Sequence, residues 1–474
     1  MFKCNKVLYD ANLVEVLKKR NLILQSTKKV ITDKSNLTLY TGADPTAKSL
    51  HLGNLVPLLL SLHLNLNNNN LILLSGGATG VLGDPTFKVS EREKKDLNQL
   101  EQNRQAIANQ QERFFQNAIK YYNELKAENS VYGIKTAKDI GNRKYVNNLD
   151  WFGNVNLLQF LHEYGSNFKI KELLSKDSVK QRLNHNTSNG GMDGSLSIKE
   201  FFYQVLQGYD FYHLYKTEHC LGQIGGNDQW GNMTSGLEFM RRQADVKNDD
   251  YKFILSTPLL IDSAGKKFGK SEGNALFLNP KMTSIFEIYQ HFINVMDEDI
   301  ERFLKIFTLL SNENIAQIME TINQDRSKKI GHKILAENVV HLIHGKEYLP
   351  LCEELSHLLF KQKVLLQYLI DHKEEADIFD KFKAIYNFKK LSKNDNSDMH
   401  DVIKMLEPSM AERSIHTCLT GGFKYFSKDG DFKSFKYVKE ESSLTEILDK
   451  CQKINDKFVI FKLGKHSIKI IEII

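Results

Sequence analysis

Long apolar runs are absent from this 474-residue chain. None approaches the ~18 consecutive apolar residues that a bilayer-spanning helix needs, so no membrane role is expected. Cysteine is scarce and scattered: Cys4, Cys220, Cys352, Cys418 and Cys451 include no CxxC pair. Neither a zinc cluster nor a disulfide framework fits that spacing, and the five read as small buried thiols of a reducing compartment. A secretory signal is missing as well. In the basic start MFKCNKVLYDANLVEVLKKR, Leu13, Val14, Val16 and Leu17 read as a helix of the folded protein. Only a very short targeting segment before about residue 8 stays open. Strong charge of one sign is also lacking: 64 Lys and Arg against 58 Asp and Glu leave +6. That balance is compatible with a nucleic-acid partner and too weak to require one.

What is present is ordinary for a globular protein, 41% apolar and 26% charged, at a length that predicts two or three domains. From residue 37 to about 240, short apolar runs alternate with helical patterns. NLILLSGG (70–77) and CLGQIGG (220–226) read as buried strands, and SIKEFFYQVLQGYDFYHLYK (197–216) as a helix. Such alternation implies a parallel sheet. The polar stretch NHNTSNGGMDGS (184–195) reads as a surface loop, and the Asn run NLNNNN (65–70) as a tolerated loop without chemistry. Residues 283–360 are helical in pattern, 361–397 end in a polar linker, and the last stretch is a small Lys-rich α+β module.

Two segments carry chemistry. YTGADPTAKSLHLGNL (40–55) runs from a strand end through a turn into an apolar helix. Unpaired N–H groups at such a helix start favour anions, and His51 stands beside them. KKFGKSEGN (266–274) sets Lys266, Lys267, Lys270 and Ser271 between glycines, a loop whose lysines can converge on a polyanion. Together they suit a triphosphate gripped from two sides, one fixed and one mobile.

HLGN resembles the HIGH signature and KFGKS the KMSKS signature of class I aminoacyl-tRNA synthetases. With SGGATGVLGDPT, NNLDWFG, FFYQVLQGYDFYHLY and QIGGNDQWGNMTSGLE, the stretch from about Leu37 to Gly345 is similar to the bacterial-type tyrosyl-tRNA synthetases. The resemblance implies a Rossmann-like α/β catalytic domain (1–255), a KMSKS-like connection (256–282), an α-helical anticodon-region domain (283–360), a linker (361–397) and an RNA-binding module like that of ribosomal protein S4 (398–474). It implies that Tyr40 and Asp210 bind the phenol hydroxyl of tyrosine, that Asp84, Tyr203 and Gln207 hold its ammonium, and that Gln229 lies near its carboxylate. Tyr203, Gln207 and Asp210 also share one helix face, a spacing that a merely amphipathic helix would show too. The ATP side falls to Gly42, Ala43, Asp44, Gly53, Asn54, Gly226, Asp228 and Lys270, and catalysis to Thr46, His51, Lys267, Lys270 and Ser271. Arg413, His416 and Lys424 would meet tRNA phosphates.

The activity implied is tyrosine activation by ATP followed by transfer to tRNA. Mg²⁺ would travel with ATP, with no metal site and no tightly bound cofactor of the protein's own. The substrate carboxylate is ionised at neutral pH and needs no general base. A homodimer is implied, with contacts from about 130–185 including Trp151 and Phe152. The mitochondrial matrix is the expected compartment, with a bacterial cytoplasm as the alternative. The tryptophan enzyme of the same fold and an RNA-binding, intron-splicing descendant remain competing readings. Two residues depart from the family pattern: Asn54 at the fourth position of the HIGH-like motif, and Phe87 where a glycine is usual.

Overall fold

The structure, a computed structural model, describes residues 13–27, 36–86, 96–127, 140–246 without 177–178, 181–182 and 184–195, 252–265, 268, 270–271 and 274 as backbone, and 275–474 without 374, 376, 393–396, 409, 436–443 and 465–466. Phe87 and the loop expected at 184–195 lie outside the described residues. The chain divides into two compact units, one of Met1–Gly269, Ala275–Asn279 and Ile293–Ile343, the other of Lys270–Asn274, Pro280–Phe292 and His344–Ile474.

The first unit is built on a six-stranded sheet of β1 (Gln25–Ser26), β2 (Thr38–Ala43), β3 (Asn70–Ser75), β4 (Arg143–Asn147), β5 (Cys220–Gly226) and β6 (Phe253–Thr257), in the order β1-β6-β5-β2-β3-β4. Strands β2 to β6 are parallel and β1 closes one edge antiparallel. The inner strands are apolar runs because helices cover both faces of such a sheet. The chain leaves the middle at β2, runs outward through β3 and β4, and returns to β5 and β6 on the other side. The carboxyl ends of β2 and β5 therefore meet where the winding reverses, the position at which open α/β sheets bind ligands.

The described helices up to Arg241 include α1 (Leu13–Lys19), α2 (Leu52–Leu66), α3 (Gly77–Leu82), α4 (Leu97–Ala127), α5 (Leu149–Phe152), α6 (Leu157–Tyr164), α7 (Ile170–Leu174), α8 (Ile198–Glu218) and α9 (Trp230–Arg241). Helix α8 starts where its sequence dictates. Ser197 accepts from the Glu200 N–H and the Glu200 side chain reaches back to Ser197, a reciprocal cap.

The Asn run joins α2 to β3, as expected, and two of its amides, Asn65 and Asn69, are buried. Asn65 Nδ2 donates to the carbonyls of Asn69 and Gly141, each at 2.9 Å, and its Oδ1 accepts from Arg143 at 2.9 Å. Asn69 Oδ1 accepts from the Leu37 N–H at 3.2 Å. The amides satisfy backbone groups where α2 turns into β3. The helical stretch 283–360, expected as one domain, is divided between the two units, only Ile293–Ile343 belonging to the first. There Asn117 donates to the Ile343 carbonyl at 2.9 Å, and Tyr121 donates to Asn338 and lies 4.4 Å from the His341 ring.

The second unit holds the short strands β7 (Lys270–Ser271) and β8 (Asn274–Ala275, its last residue belonging to the first unit) and a five-stranded sheet of β9 (Lys389–Leu391), β10 (Phe423–Phe426), β11 (Phe432–Ser434), β12 (Phe458–Leu463) and β13 (Ser467–Ile473). The order is β11-β10-β12-β13-β9. Helices Met399–Leu406, Glu412–Thr417 and Leu444–Lys450 cover one face. The stretch expected as a linker is folded into this unit. It forms helix Gln362–Asp371 and strand β9, which pairs parallel with β13. Phe379 and Phe388 meet Phe458 on the second sheet face, and Lys383 bonds Glu472 at 2.8 Å.

One buried cation ties the start of the first unit to its later helices. Arg20, fully buried after α1, donates to the carbonyls of Leu310, at 2.8 Å, and Thr308, the acceptors left over where helix Ile300–Phe307 ends. Burial, with the Arg20 charge adding to it, keeps the neighbouring His63 neutral by lowering its pKa well below the usual range. Arg20→Met fills the space but strands two carbonyls. We expect it to lower unfolding free energy by about 2–4 kcal/mol, read from urea unfolding; a change within 0.5 kcal/mol would show that the carbonyls find other donors.

Candidate active site

Tyr40 sits on central strand β2 and Asp210 on α8, each 2% exposed. Asp210 Oδ2 accepts from Asn148 Nδ2 at 3.1 Å and Oδ1 from Trp151 Nε1 at 3.0 Å. Burial pushes the Asp210 carboxyl up to about 8, the two donors pull it back, and the charge of Asp44 raises it further. Burial, then the charge of Asp210, then that of Cys220, raise the Tyr40 phenol well above its ordinary value, so it stays protonated. Its hydroxyl has no hydrogen-bond partner among the described residues. The interior thus holds an unused donor on Tyr40 and spare lone pairs on Asp210, since each carboxylate oxygen can accept twice. A ligand hydroxyl that accepts from the first and donates to the second answers both.

The residues expected to meet an ammonium are equally ordered. Tyr203 donates its phenol proton to Asp44 Oδ2 at 2.8 Å, which leaves lone pairs as what its oxygen can offer an ammonium. Gln207 Oε1, one turn on, is buried without a partner among the described residues. Asp84 accepts from the Thr86 N–H (3.0 Å) and hydroxyl (2.6 Å) and from Gln229 Nε2 (2.6 Å). Gln229, expected near the substrate carboxylate, also donates to Asp228 Oδ2 at 3.0 Å. It therefore joins two acidic residues expected to serve ammonium and ribose separately. Gly226 ends β5 just before them.

Gly42 and Ala43 close β2, and the Thr46 N–H donates to the Asp44 carbonyl at 2.8 Å in the turn that follows. His51 is the N-cap of α2, and its own N–H donates to Asn54 Oδ1 at 3.1 Å. The unusual Asn54 is thus a helix cap, a task a short amide performs well. A Cβ on Gly53 would come within 2.9 Å of His51 Cε1, so the glycine leaves the imidazole its place. Residues 276–278 are stitched alongside: Leu52 N–H to the Leu276 carbonyl at 2.9 Å and Leu278 N–H to the Leu50 carbonyl at 2.8 Å.

The lysine loop is not brought to this set by the described side chains. Lys267 lies outside the described residues, and Lys270 and Ser271 are described as the backbone of β7 in the second unit. In that unit Arg413 and His416 are exposed on helix Glu412–Thr417. Lys424 stands elsewhere: its neighbours Phe423 and Tyr425 join the core beneath that helix, so Lys424 points to the opposite sheet face. The four described cysteines are buried free thiols.

Asn148, Thr79 and Trp151 were missed in the sequence as site residues, although two quoted motifs contain them. Trp151, expected within a subunit contact, directs its indole N–H to the buried acceptor on Asp210.

Comparison with known proteins agrees with this geometry. Residues 32–361 match the family described as tRNA synthetases class I (W and Y). The chain is 38% identical over 357 residues to the mitochondrial tyrosine–tRNA ligase of Saccharomyces cerevisiae, covering 74% of this chain and 70% of that protein. It is 34% identical over 459 residues to the tyrosine–tRNA ligase of Streptococcus pyogenes serotype M49, covering 96% and 98%. Among solved structures, a C-terminally truncated mitochondrial tyrosyl-tRNA synthetase of Aspergillus nidulans superposes with a TM-score of 0.63 at 30% identity, over 73% of this chain and 93% of that one. The doubly wound sheet, the ordered pocket at its switch point and these relatives lead to one conclusion: the chain belongs to the class I tRNA synthetases of the tryptophan and tyrosine group.

Proposed function

We propose that this chain is a tyrosine–tRNA ligase, forming tyrosyl-adenylate and pyrophosphate from L-tyrosine and ATP and passing the tyrosyl group to the 3′-terminal ribose of its tRNA. The buried pair of Tyr40 and Asp210 carries the reading. A phenol hydroxyl can accept from Tyr40 and donate to Asp210, whereas an indole N–H only donates and leaves Tyr40 unanswered. This favours tyrosine over tryptophan. Phenylalanine leaves the Tyr40 hydroxyl unpaired and Asp210 with its two protein donors alone, a rule of discrimination for which tyrosine-activating enzymes are themselves the standing example.

Tyr203, Gln207 and Asp84 would hold the ammonium, and the ionised carboxylate would attack the α-phosphorus. His51, Thr46 and the unpaired N–H groups at the start of α2 would face the charge that develops on the phosphates. Gly42, Ala43, Asp44, Gly53, Gly226 and Asp228 would line the nucleotide, and Lys267, Lys270 and Ser271 would grip departing pyrophosphate. Mg²⁺ would arrive with ATP. Arg413, His416 and Lys424 would contribute tRNA phosphate contacts. The yeast relative supports the mitochondrial matrix as the compartment, and the streptococcal relatives keep a bacterial cytoplasm as the alternative.

A homodimer is proposed as well. Leu157 and Leu158 on α6 are 62% and 76% exposed, and Leu161 and Ile170 are exposed beside them, an apolar face suited to a second copy. Sedimentation should show two chains at micromolar concentration, and Leu158→Asp should release single chains of low activity. A fully active monomeric wild type would refute the proposal.

Asp210→Asn tests the pocket. Tyrosine-dependent pyrophosphate exchange should fall and the gap to phenylalanine should narrow; unchanged selectivity would sink the phenol assignment. The same variant has a signature without substrate. The folded carboxyl titrates near 8 against an ordinary 3.8, so the folded state holds a proton that the unfolded chain has lost between these values. Stability of the wild type should therefore be complete below about pH 4 and decline as pH rises to about 8. Urea unfolding of Asp210→Asn should show this decline removed.

The lysine loop is tested by Lys270→Ala. An interaction made mainly in the transition state lowers the adenylation rate rather than ATP affinity. We expect a loss of about 2–4 kcal/mol in pre-steady-state adenylate formation, with tyrosine affinity nearly unchanged. A change in ATP affinity alone would make the loop a binding clamp.

A further inference from the structure

Asp210 and Asp44 stand at opposite ends of the amino-acid pocket, and two side chains join them. Asn148 is fully buried directly after β4. Its Oδ1 accepts from the Ala78 N–H at 2.7 Å, which fixes the direction of the amide. The Nδ2 group then has two protons for two acceptors: Asp210 Oδ2 at 3.1 Å and Thr79 Oγ1 at 3.1 Å. Thr79, buried on α3, receives that proton and turns its own to Asp44 Oδ1 at 2.7 Å. The second oxygen of Asp44 accepts from Tyr203. The order of donation is settled at every link, Asn148 to Thr79 to Asp44, with Tyr203 donating from the far side. The backbone makes room for it: a Cβ on Gly76 would lie 2.0 Å from Asp44 Oδ1 and 2.3 Å from Thr79 Oγ1.

We propose that Asn148 and Thr79 are positioning residues that couple recognition of the substrate hydroxyl at Asp210 to the setting of Asp44 and Tyr203 at the ammonium end, so that an amino acid without the hydroxyl is penalised in the rate of activation as well as in affinity. This rests on Asp210 being the phenol acceptor. When a ligand hydroxyl donates to Asp210, the carboxylate pulls less on the Asn148 amide. The amide is then free to donate more strongly to Thr79, whose hydroxyl is polarised toward Asp44, and hydrogen bonds in series strengthen one another in a water-poor interior. Asp44 in turn holds Tyr203, whose oxygen orients the ammonium and with it the attacking carboxylate. An isolated pocket residue would lack this directionality. Asn148 has both amide protons and its oxygen committed, so a change at one end cannot be absorbed without altering the other.

Thr79→Val removes the link while keeping shape, and Thr79→Ser restores the hydroxyl. Single-turnover adenylate formation with tyrosine and with phenylalanine reads the coupling. We expect Thr79→Val to slow the tyrosine rate constant about 10-fold, the scale of coupling between residues of one network. Tyrosine affinity should change less than about 3-fold and the phenylalanine rate less than about 2-fold, with Thr79→Ser near wild type on all three. In an Asp210→Asn background the Thr79→Val effect on tyrosine should largely vanish. Equal slowing with both amino acids, a loss confined to affinity, failure of Thr79→Ser to recover, or full additivity with Asp210→Asn would each overturn the relay. Asp210→Asn alone separates the two layers: unchanged selectivity there defeats the phenol reading, whereas collapsed selectivity with an inert Thr79→Val defeats only the coupling.

Discussion

Most of the pocket can be understood from the difficulty of keeping one carboxyl group inside a protein. Asp210, on α8, is buried where water cannot solvate it. A bare carboxylate there would cost several kcal/mol. The structure answers with an indole and an amide, one on each oxygen. Those donors must come from somewhere rigid, and both follow β4 within a few residues. The edge strand of the sheet therefore leads directly to the partners of this buried carboxyl group.

The same logic explains the glycines and small residues at the strand ends. Gly76 and Gly53 are where a side chain would strike the Asp44–Thr79 bond or the His51 ring. Ligand-binding groups crowd at the reversal of the winding because strand ends and helix starts converge there. The crowding is tolerable only if backbone can approach side chain without a Cβ between them.

How much of this the sequence disclosed differs by layer. The strands at 70–75 and 220–226 and helix α8 were legible because apolar runs and a Ser197–Glu200 cap are local signals. Tyr203, Gln207 and Asp210 are singled out by resemblance, since their spacing alone also suits a plain amphipathic helix. Asn148 and Thr79 are not. The two acceptors of Asn148 lie 62 and 69 residues away in the chain. The pairing of β3 with β4 brings it to Thr79, while Asp210 comes from α8. The Asn run is the loop its polarity suggests, but the burial of Asn65 and Asn69 follows from the backbone groups they satisfy where α2 meets β3. The folded linker was hidden because a three-residue strand such as β9 has no periodicity to detect and is recognised only by its partner.

That partner has a bearing on biosynthesis. Strand β13 lies between β12 and β9, so the strand made last is an interior one. While the chain is being translated, β9 has no neighbour to pair with, and β12 is an edge with β10 on one side alone. The sheet cannot be completed until residue 473 has cleared the ribosomal tunnel. The first unit takes in no residue beyond Ile343 and is free to fold well before then. Nascent chains would thus carry a folded first unit followed by a stretch with an open β-edge, the form of intermediate that chaperones shield and that proteases find first.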